Sequence, residues 1–419
     1  MRPEVDLGDL RRRGPLRPDP ALPSLAWPLT PEAGVAATAA EVRDWPSLIG
    51  LARSQHLLGL LAVRLLDVRP RVVPEDVLAG LAEVRRLTTE SAVQAIGHAV
   101  RVVRLFEAEG IAVLLIKGPA LSQDLYGDPT VRSFCDLDFV VRPEDAVRAR
   151  QTLLDNGFED DGAFNERLLR RGMRSEGEVA LVGKRGIPRI DLHWRLTVGY
   201  STRAISTDRL LASARSLTLL GQRIPAPDAL HQLLLGVLHG ARHDWTPLEL
   251  RLEVALQVAR LPQAAWPQLC ATARELGCLR RLLVGVAHAC GPFAVPVPAE
   301  VQRLLRADRL APRYAAYLRR VACRDAEPRR TLAFADGVPG AWWQAASEDD
   351  VRGALDHLFV WAARPNRADW AAVDLPDGLG GLYWVLRPAR IARDHAWRPR
   401  RRGAARGTSR LAVAGSPAP

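Results

Sequence analysis

Lysine is almost missing from this chain. Of its 58 lysine and arginine residues only two, Lys117 and Lys184, are lysines. Cysteine is scarce too. Its five residues, Cys135, Cys270, Cys278, Cys290 and Cys323, are odd in number and show no C-x-x-C spacing. That argues against a disulfide framework and a zinc ribbon, and it fits a reducing cytoplasm. No apolar stretch is both long enough and free enough of charge to cross a bilayer. The opening residues MRPEVDLGDLRRRGPL contain no apolar signal-peptide core, so a cytoplasmic location is expected. No internal repeat of fixed period is found, which removes repeat architectures from consideration.

What is present is the composition of a folded protein. At 419 residues, 48% hydrophobic and 25% charged, the chain is expected to form two or three folded units rather than a disordered whole. A net charge of +11 suggests an anionic partner, either a nucleotide or a nucleic acid. Part of the excess sits in flanks, however. Arg11, Arg12 and Arg13 lie in a Pro-rich stretch, and Arg398, Arg400, Arg401, Arg402, Arg406 and Arg410 in a Gly/Ala/Pro-rich tail. This placement favours charged tails plus a phosphate-binding pocket, with RNA binding as the alternative.

Five segments follow from texture. Residues 1–40, rich in Pro and Ala, read as a loose leader. From 41 to 109 apolar residues recur at helical spacing: Leu48, Leu51, Leu57, Leu58 and Leu61, then Val93, Ile96, Val100 and Val103. Residues 110–225 read as an α/β unit with a mixed sheet. IAVLLI is a short buried strand, KGPALSQDLYG a turn leading into a helix at Pro119, and SFCDLDFVV a second strand. PEDAVRARQTLLDNGF is a helix with an acidic first turn, and EVALVG-KRGI-PRIDLHW a hairpin around a basic turn. From 226 to 395 helices return, beginning with DALHQLLLGVLHGARHDW behind an Asp228 N-cap, and 396–419 read as a disordered basic tail.

The chemistry centres on CDLDFVV. Side chains two apart on a strand share a face, so Asp136 and Asp138 stand side by side. Aspartate is disfavoured in strands, and two close like charges repel, unless a divalent cation lies between them. Magnesium, with manganese as the alternative, suits carboxylate and phosphate oxygens. The competing reading is a solvated edge strand, but Val140 and Val141 make the strand look central. RIDLHW supplies a third acid, Asp191, with His193 on the same face. Three carboxylates on adjacent strands are what a two-metal phosphoryl or nucleotidyl transfer centre requires. Lys117, on a Gly-Pro turn, can reach a phosphate as a compact point charge, or it can snorkel to water. Arg132 is a second phosphate-clamp candidate, with an ion pair to Asp124 or Asp128 as its alternative. His239 and His243, four apart, have zinc-like spacing, yet no glutamate follows His239 and no third ligand is in view. Trp245, Trp266, Trp342 and Trp343 read as core or interface residues.

These stretches together resemble the bacterial family of uncharacterised nucleotidyltransferases, the NTP transferase 5 group, within the DNA polymerase β-like superfamily. The likeness is carried by LLIKGPALSQDLYGDPTVRSFCDLDFVVRPED, IDLHWRL and ALHQLLLGVLHGARHDW. Weaker similarity extends from DWPSLIGLARSQHLLGLL to LYWVLRPARIARD. The resemblance implies an α+β nucleotidyltransferase core with a small mixed sheet between helical regions. It implies transfer of a nucleoside monophosphate from an NTP, ATP being the first expectation, to an acceptor hydroxyl. Asp136, Asp138 and Asp191 are then the catalytic and metal-binding acids. Lys117 and Gly118 occupy the triphosphate turn, where the superfamily usually has Gly-Ser or Gly-Gly. His193, Arg132, His239, Arg242 and His243 are expected around the nucleotide or acceptor. The small hydroxyl residue is absent from the turn, and its distance to Asp136 is longer than usual. A nucleotide- or partner-binding protein without turnover is therefore the second expectation.

Overall fold

The computed structural model describes residues 20–132, 134–161, 177–183, 187–197, 203–322 and 337–396. Lys184, Cys323 and both arginine-rich flanks lie outside them. The chain is mostly helical, with a small mixed sheet.

The leader expected over 1–40 is corrected in its second half. Helices α1 (Ala21–Ala26) and α2 (Glu32–Glu41) form there, because Leu22, Leu25, Ala26, Val35 and Ala39 find a core to enter. That core is shared with α3 (Trp45–Ser54) and α4 (Leu58–Val68). Asp44 caps α3, its carboxylate accepting the Ser47 N–H at 3.0 Å. Helix α5 (Glu75–Ala108) has 34 residues; at 1.5 Å per residue it is about 50 Å long. It is nevertheless amphipathic, and among the described residues no helix is long and apolar enough to cross a membrane.

Five strands make the main sheet: β1 (Val113–Leu115), β2 (Asp136–Val141), β3 (Phe158–Asp160), β4 (Glu178–Gly183) and β5 (Arg189–His193). Their order is β1-β2-β5-β4-β3, with β2 and β5 parallel and every other pair antiparallel. The parallel pair is made possible by α7 (Ala146–Asp155), which follows β2, ends at Asn156 and Gly157, and returns the chain through β3. Strand alternation then divides the sheet. Leu115, Leu137, Phe139, Val141, Leu181, Ile190 and Leu192 point to one face and are buried against the inner faces of α5 and α7. That single apolar face fixes the register, since a shift of one residue would drive aspartates into the core.

The opposite face is apolar only at one end, where Leu114 and Val140 join a second core. That core is built around α9 (Ala229–Arg242), α10 (Leu248–Arg260), α11 (Trp266–Glu275) and α12 (Leu279–Cys290). Between β5 and α9 the chain forms two minor hairpins, β6 (Leu196–Thr197) with β7 (Ala204–Ile205), and β8 (Arg215–Leu219) with β9 (Gln222–Ala226). The short helix α8 (Thr207–Ala212) separates them. None of these was visible as a hairpin in the sequence pattern.

Trp245 anchors the second core. It is buried, and with Asp244 it takes a left-handed backbone, φ 59° and 49°. A Cβ at Gly240 or Gly285 would lie 2.6 or 2.5 Å from its indole, so glycine at both positions lets the ring in. Trp266 is buried as expected, and Trp343 stacks on Tyr317, but Trp342 is exposed.

Further helices follow: α13 (Ala299–Ala307), α14 (Ala311–Ala322), α15 (Gly337–Ala346), α16 (Val351–Ala363), α17 (Arg367–Ala372) and α18 (Tyr383–Ala396). A buried ionic cluster ties α15 and α16 to α12, with Arg281 Nη2 2.8 Å from Glu348 Oε1 and His357 Nδ1 at 3.4 Å from the same oxygen.

Candidate active site

The polar face of the sheet is a consequence of register. In β2, Asp136, Asp138 and Val140 share it. In β5, Arg189, Asp191 and His193 share it. The parallel pairing sets Asp136 beside Arg189 and Asp138 beside Asp191. On the far side of β5, antiparallel pairing sets Glu178 beside His193 and Ala180 beside Asp191. Residues distant in sequence thus form a patch of alternating charge on one surface.

Asp138 is its centre. It is buried, and its Oδ1 lies 3.3 Å from Lys117 Nζ and 3.0 Å from His193 Nε2. Burial alone would raise its pKa. Lys117 and His193 more than offset that and hold the carboxyl well below the usual range. His193 reaches the other way as well, with Nδ1 3.2 Å from Glu178 Oε2. Burial disfavours its charge, but the two carboxylates prevail and raise its pKa to about 9. Glu178 is correspondingly lowered to about 2, burial being outweighed by His193. The result is an Asp138–His193–Glu178 chain with both imidazole nitrogens engaged.

Asp136 and Asp191 behave oppositely. Desolvation, followed by repulsion from Asp138 and Asp191, raises the Asp136 pKa. Asp191 is raised by burial despite Arg189, whose Nε is 2.7 Å from Asp191 Oδ1. These two acids therefore carry charge that their surroundings do not fully compensate.

Lys117 is positioned by its turn. Ile116 N–H donates to Asp138 O at 3.1 Å, and Gln232 Nε2 of α9 donates to Ile116 O at 3.0 Å. Gly118 follows at φ 59°, ψ −128°, a conformation strained for any residue with a Cβ, and Pro119 then opens α6 (Pro119–Tyr126). The short, quarter-exposed lysine fits where the planar fork of arginine would need more room.

Helix α9 contributes His239, Arg242 and His243. The imidazole centroids of His239 and His243 are 4.5 Å apart. Burial, with Lys117 and His243, lowers the His239 pKa, and burial with Arg242 and Lys117 lowers that of His243 to about 4. Both are neutral at physiological pH. Arg242 approaches Glu178 Oε1 at 3.8 Å, a long ion pair that places it over the sheet's polar face.

Arg132 stands apart from this patch. Its guanidinium is held by Glu249 and by Glu253, 2.9 Å away, both from α10, and it lies over the Phe134 ring. The alternative pairing with Asp124 or Asp128 is not seen either, since these pair with Arg215 and Arg85, both at 2.7 Å. The two buried glutamates tie Arg132, on the approach to β2, to α10. The sequence did not reveal this, because those glutamates lie more than a hundred residues away.

Two residues of the patch went unnoticed in the sequence, Glu178 and Arg189. Each could have been found by drawing the hairpin register. Glu178 opens EVALVG opposite His193, and Arg189 lies two before Asp191, on the same face.

Among the described residues, no three His, Cys, Asp or Glu side chains are drawn together closely enough to hold a metal ion as they stand. Asp138 is turned to Lys117 and His193, and Asp191 to Arg189. The donor chemistry nonetheless suits a hard divalent cation. Three carboxylates share one face, and two of them have raised pKa values that an added positive charge would relieve.

An α+β protein with an acidic, cation-bordered sheet face roofed by a helix is the class that fold and site define. The chain belongs to the family described as an uncharacterised nucleotidyltransferase, whose model matches residues 41–293, more than half of its length. No curated protein matches it. The matched span contains every residue of the polar face and stops at Phe293, before α13. Family membership makes the protein a transferase with a nucleotide substrate.

Proposed function

We propose that the polar face of β2 and β5 transfers a nucleoside monophosphate from an NTP to an acceptor hydroxyl, with release of pyrophosphate. The observation that carries this reading is the pairing of Asp138 with Asp191 across parallel strands, with Asp136 on the same face. Asp136, Asp138 and Asp191 are the residues that would hold magnesium. Bound there, the ion supplies charge neutralisation at the triphosphate and lowers the pKa of the acceptor hydroxyl.

The chain's own groups do the rest by position and charge. Lys117 offers an ammonium to the triphosphate beside the carboxylates. Asp191 accepts the acceptor's proton at a carboxylate oxygen. The acceptor oxygen then bonds to the α-phosphorus while the bond from that phosphorus to the pyrophosphate oxygen breaks. His193 holds Asp138 in place through Nε2 and is itself held by Glu178. Burial disfavours charge on His239 and His243, so Arg242 is the cation that this end of the roofing helix brings toward the face.

The test is pyrophosphate release with each NTP and a panel of hydroxyl acceptors, in wild type and in Asp136→Asn. Turnover that survives the substitution unchanged would remove the proposal. A second reading has its own support. Asp138 and Asp191 are each engaged by cations of the chain, as in a site that binds nucleotide without turnover. Calorimetric binding of MgATP with no pyrophosphate release in any acceptor mixture would favour it.

A further inference from the structure

Arg189 is a strongly basic group on a strand of the polar face that the proposed transfer does not use. It lies on β5 in register with Asp136. Its Nε is 2.7 Å from Asp191 Oδ1, and its Nη1 is 3.6 Å from Asp161 Oδ2 at the sheet's far edge. Unlike Arg132, which two buried glutamates enclose, Arg189 has nearly half of its side chain open to solvent. It pairs with Asp191, one of the three acids that the metal reading needs.

We propose that Arg189 is an exchangeable counter-ion. It occupies Asp191 while the site holds no divalent cation, and it moves to the phosphates of the incoming nucleotide once a cation takes that carboxylate. This rests on the carboxylate reading above and deepens it. The physical case is competition. Arg189 and a divalent ion compete for the negative charge of Asp191, so a cation taking Oδ1 displaces the 2.7 Å pair. The released guanidinium stays on the same face, one strand from Asp136 and Asp138. Its planar fork can engage phosphate oxygens bidentately, beside the point charge that Lys117 offers. Asp161, 3.6 Å from Nη1, holds the side chain at the exposed edge of the sheet in the metal-free position.

The consequence is a pair of opposite effects, which a merely structural role would not produce. In the full-length protein, Mn2+ binding without nucleotide is followed by electron paramagnetic resonance, and MgATP binding by calorimetry. Arg189→Ala removes the competitor, so Mn2+ binds about threefold or more tightly. It also removes a charged contact to phosphate, so MgATP binds about tenfold more weakly. Arg189→Lys keeps the charge and leaves Mn2+ affinity near wild type, while MgATP binding falls between the two. Circular dichroism confirms that each variant is folded. If wild-type protein binds no Mn2+, or binds it equally well after Asp136→Asn combined with Asp138→Asn, the carboxylate reading falls and this inference with it. If Mn2+ binds through those aspartates but Arg189→Ala changes neither constant, or weakens both alike, the Arg189 assignment alone is overturned.

Discussion

Asp138 and Lys117 show how much one contact settles. The sequence asked why a chain with 56 arginines keeps a lysine before Gly-Pro. In the fold its ammonium sits 3.3 Å from a buried carboxylate, on a turn tied to β2 and α9. Lys117→Arg should therefore raise the KM for NTP by roughly tenfold while leaving the melting temperature within a few degrees. Steady-state kinetics and a thermal melt check it. Asp136→Asn and Asp138→Asn should each lower kcat by about a hundredfold or more, since the proposed transfer draws its acceleration mainly from positioned charge. Pyrophosphate release is the assay, with circular dichroism confirming the fold. The aspartates and the lysine were legible because their residue types conflict with their surroundings, an acid in a strand and a lysine in an arginine-rich chain. Glu178 and Arg189 were not, because a glutamate or an arginine at a strand end is ordinary until its cross-strand partner is known.

At the scale of elements, helix α12 carries a consequence for pH. His288 lies edge-on to Trp245, ring centroids 5.9 Å apart, and burial with Arg251 and Arg319 lowers its pKa to about 3. A depressed histidine leaves stability intact above its unfolded value near 6.5 and removes it as pH falls toward 3, because only the unfolded chain takes up the proton. Between pH 7.5 and pH 5, His288→Gln should lose about 1–2 kcal/mol less stability than wild type. Urea titrations at the two pH values measure the difference. The strands β1, β2, β4 and β5 and the helices α6, α7 and α9 were readable from period and caps. The short β3 and the β6–β7 and β8–β9 hairpins were not, since two to five residues hold too little periodicity to register.

Among the described residues there are four hydrophobic clusters, two of which pack on opposite faces of the sheet. Helices beyond the family match join the matched part both through the second apolar core, which Val301, Ala311, Tyr314, Tyr317 and Leu318 enter, and through buried charge. Arg281 and Glu348 are both almost completely buried, and Asp349 caps α12 by accepting the N–H groups of Leu279 and Arg280, each at 2.7 Å. Arg281→Ala strands the Glu348 carboxylate and should cost about 3–5 kcal/mol. A denaturant melt following tryptophan fluorescence tests this, and a loss under 1 kcal/mol would show the cluster to be dispensable. Closer to the site, Gln344 Nε2 donates to Ala241 O at 2.9 Å, so the same C-terminal helices brace the end of α9 that carries Arg242 and His243.

By itself the sequence determined which residues could do chemistry and which face of each strand they occupy, because strand alternation and residue type are local properties. It also determined the helix–sheet–helix layout and the family, through motifs that survive without coordinates. Only the tertiary structure decided partnerships: Arg132 with Glu249 and Glu253 of α10, His193 between Asp138 and Glu178, Arg189 on Asp191, and α1 and α2 folded where a loose leader was expected. Charge pairing and burial depend on distances between segments far apart in the chain, and those distances exist only once the cores have closed.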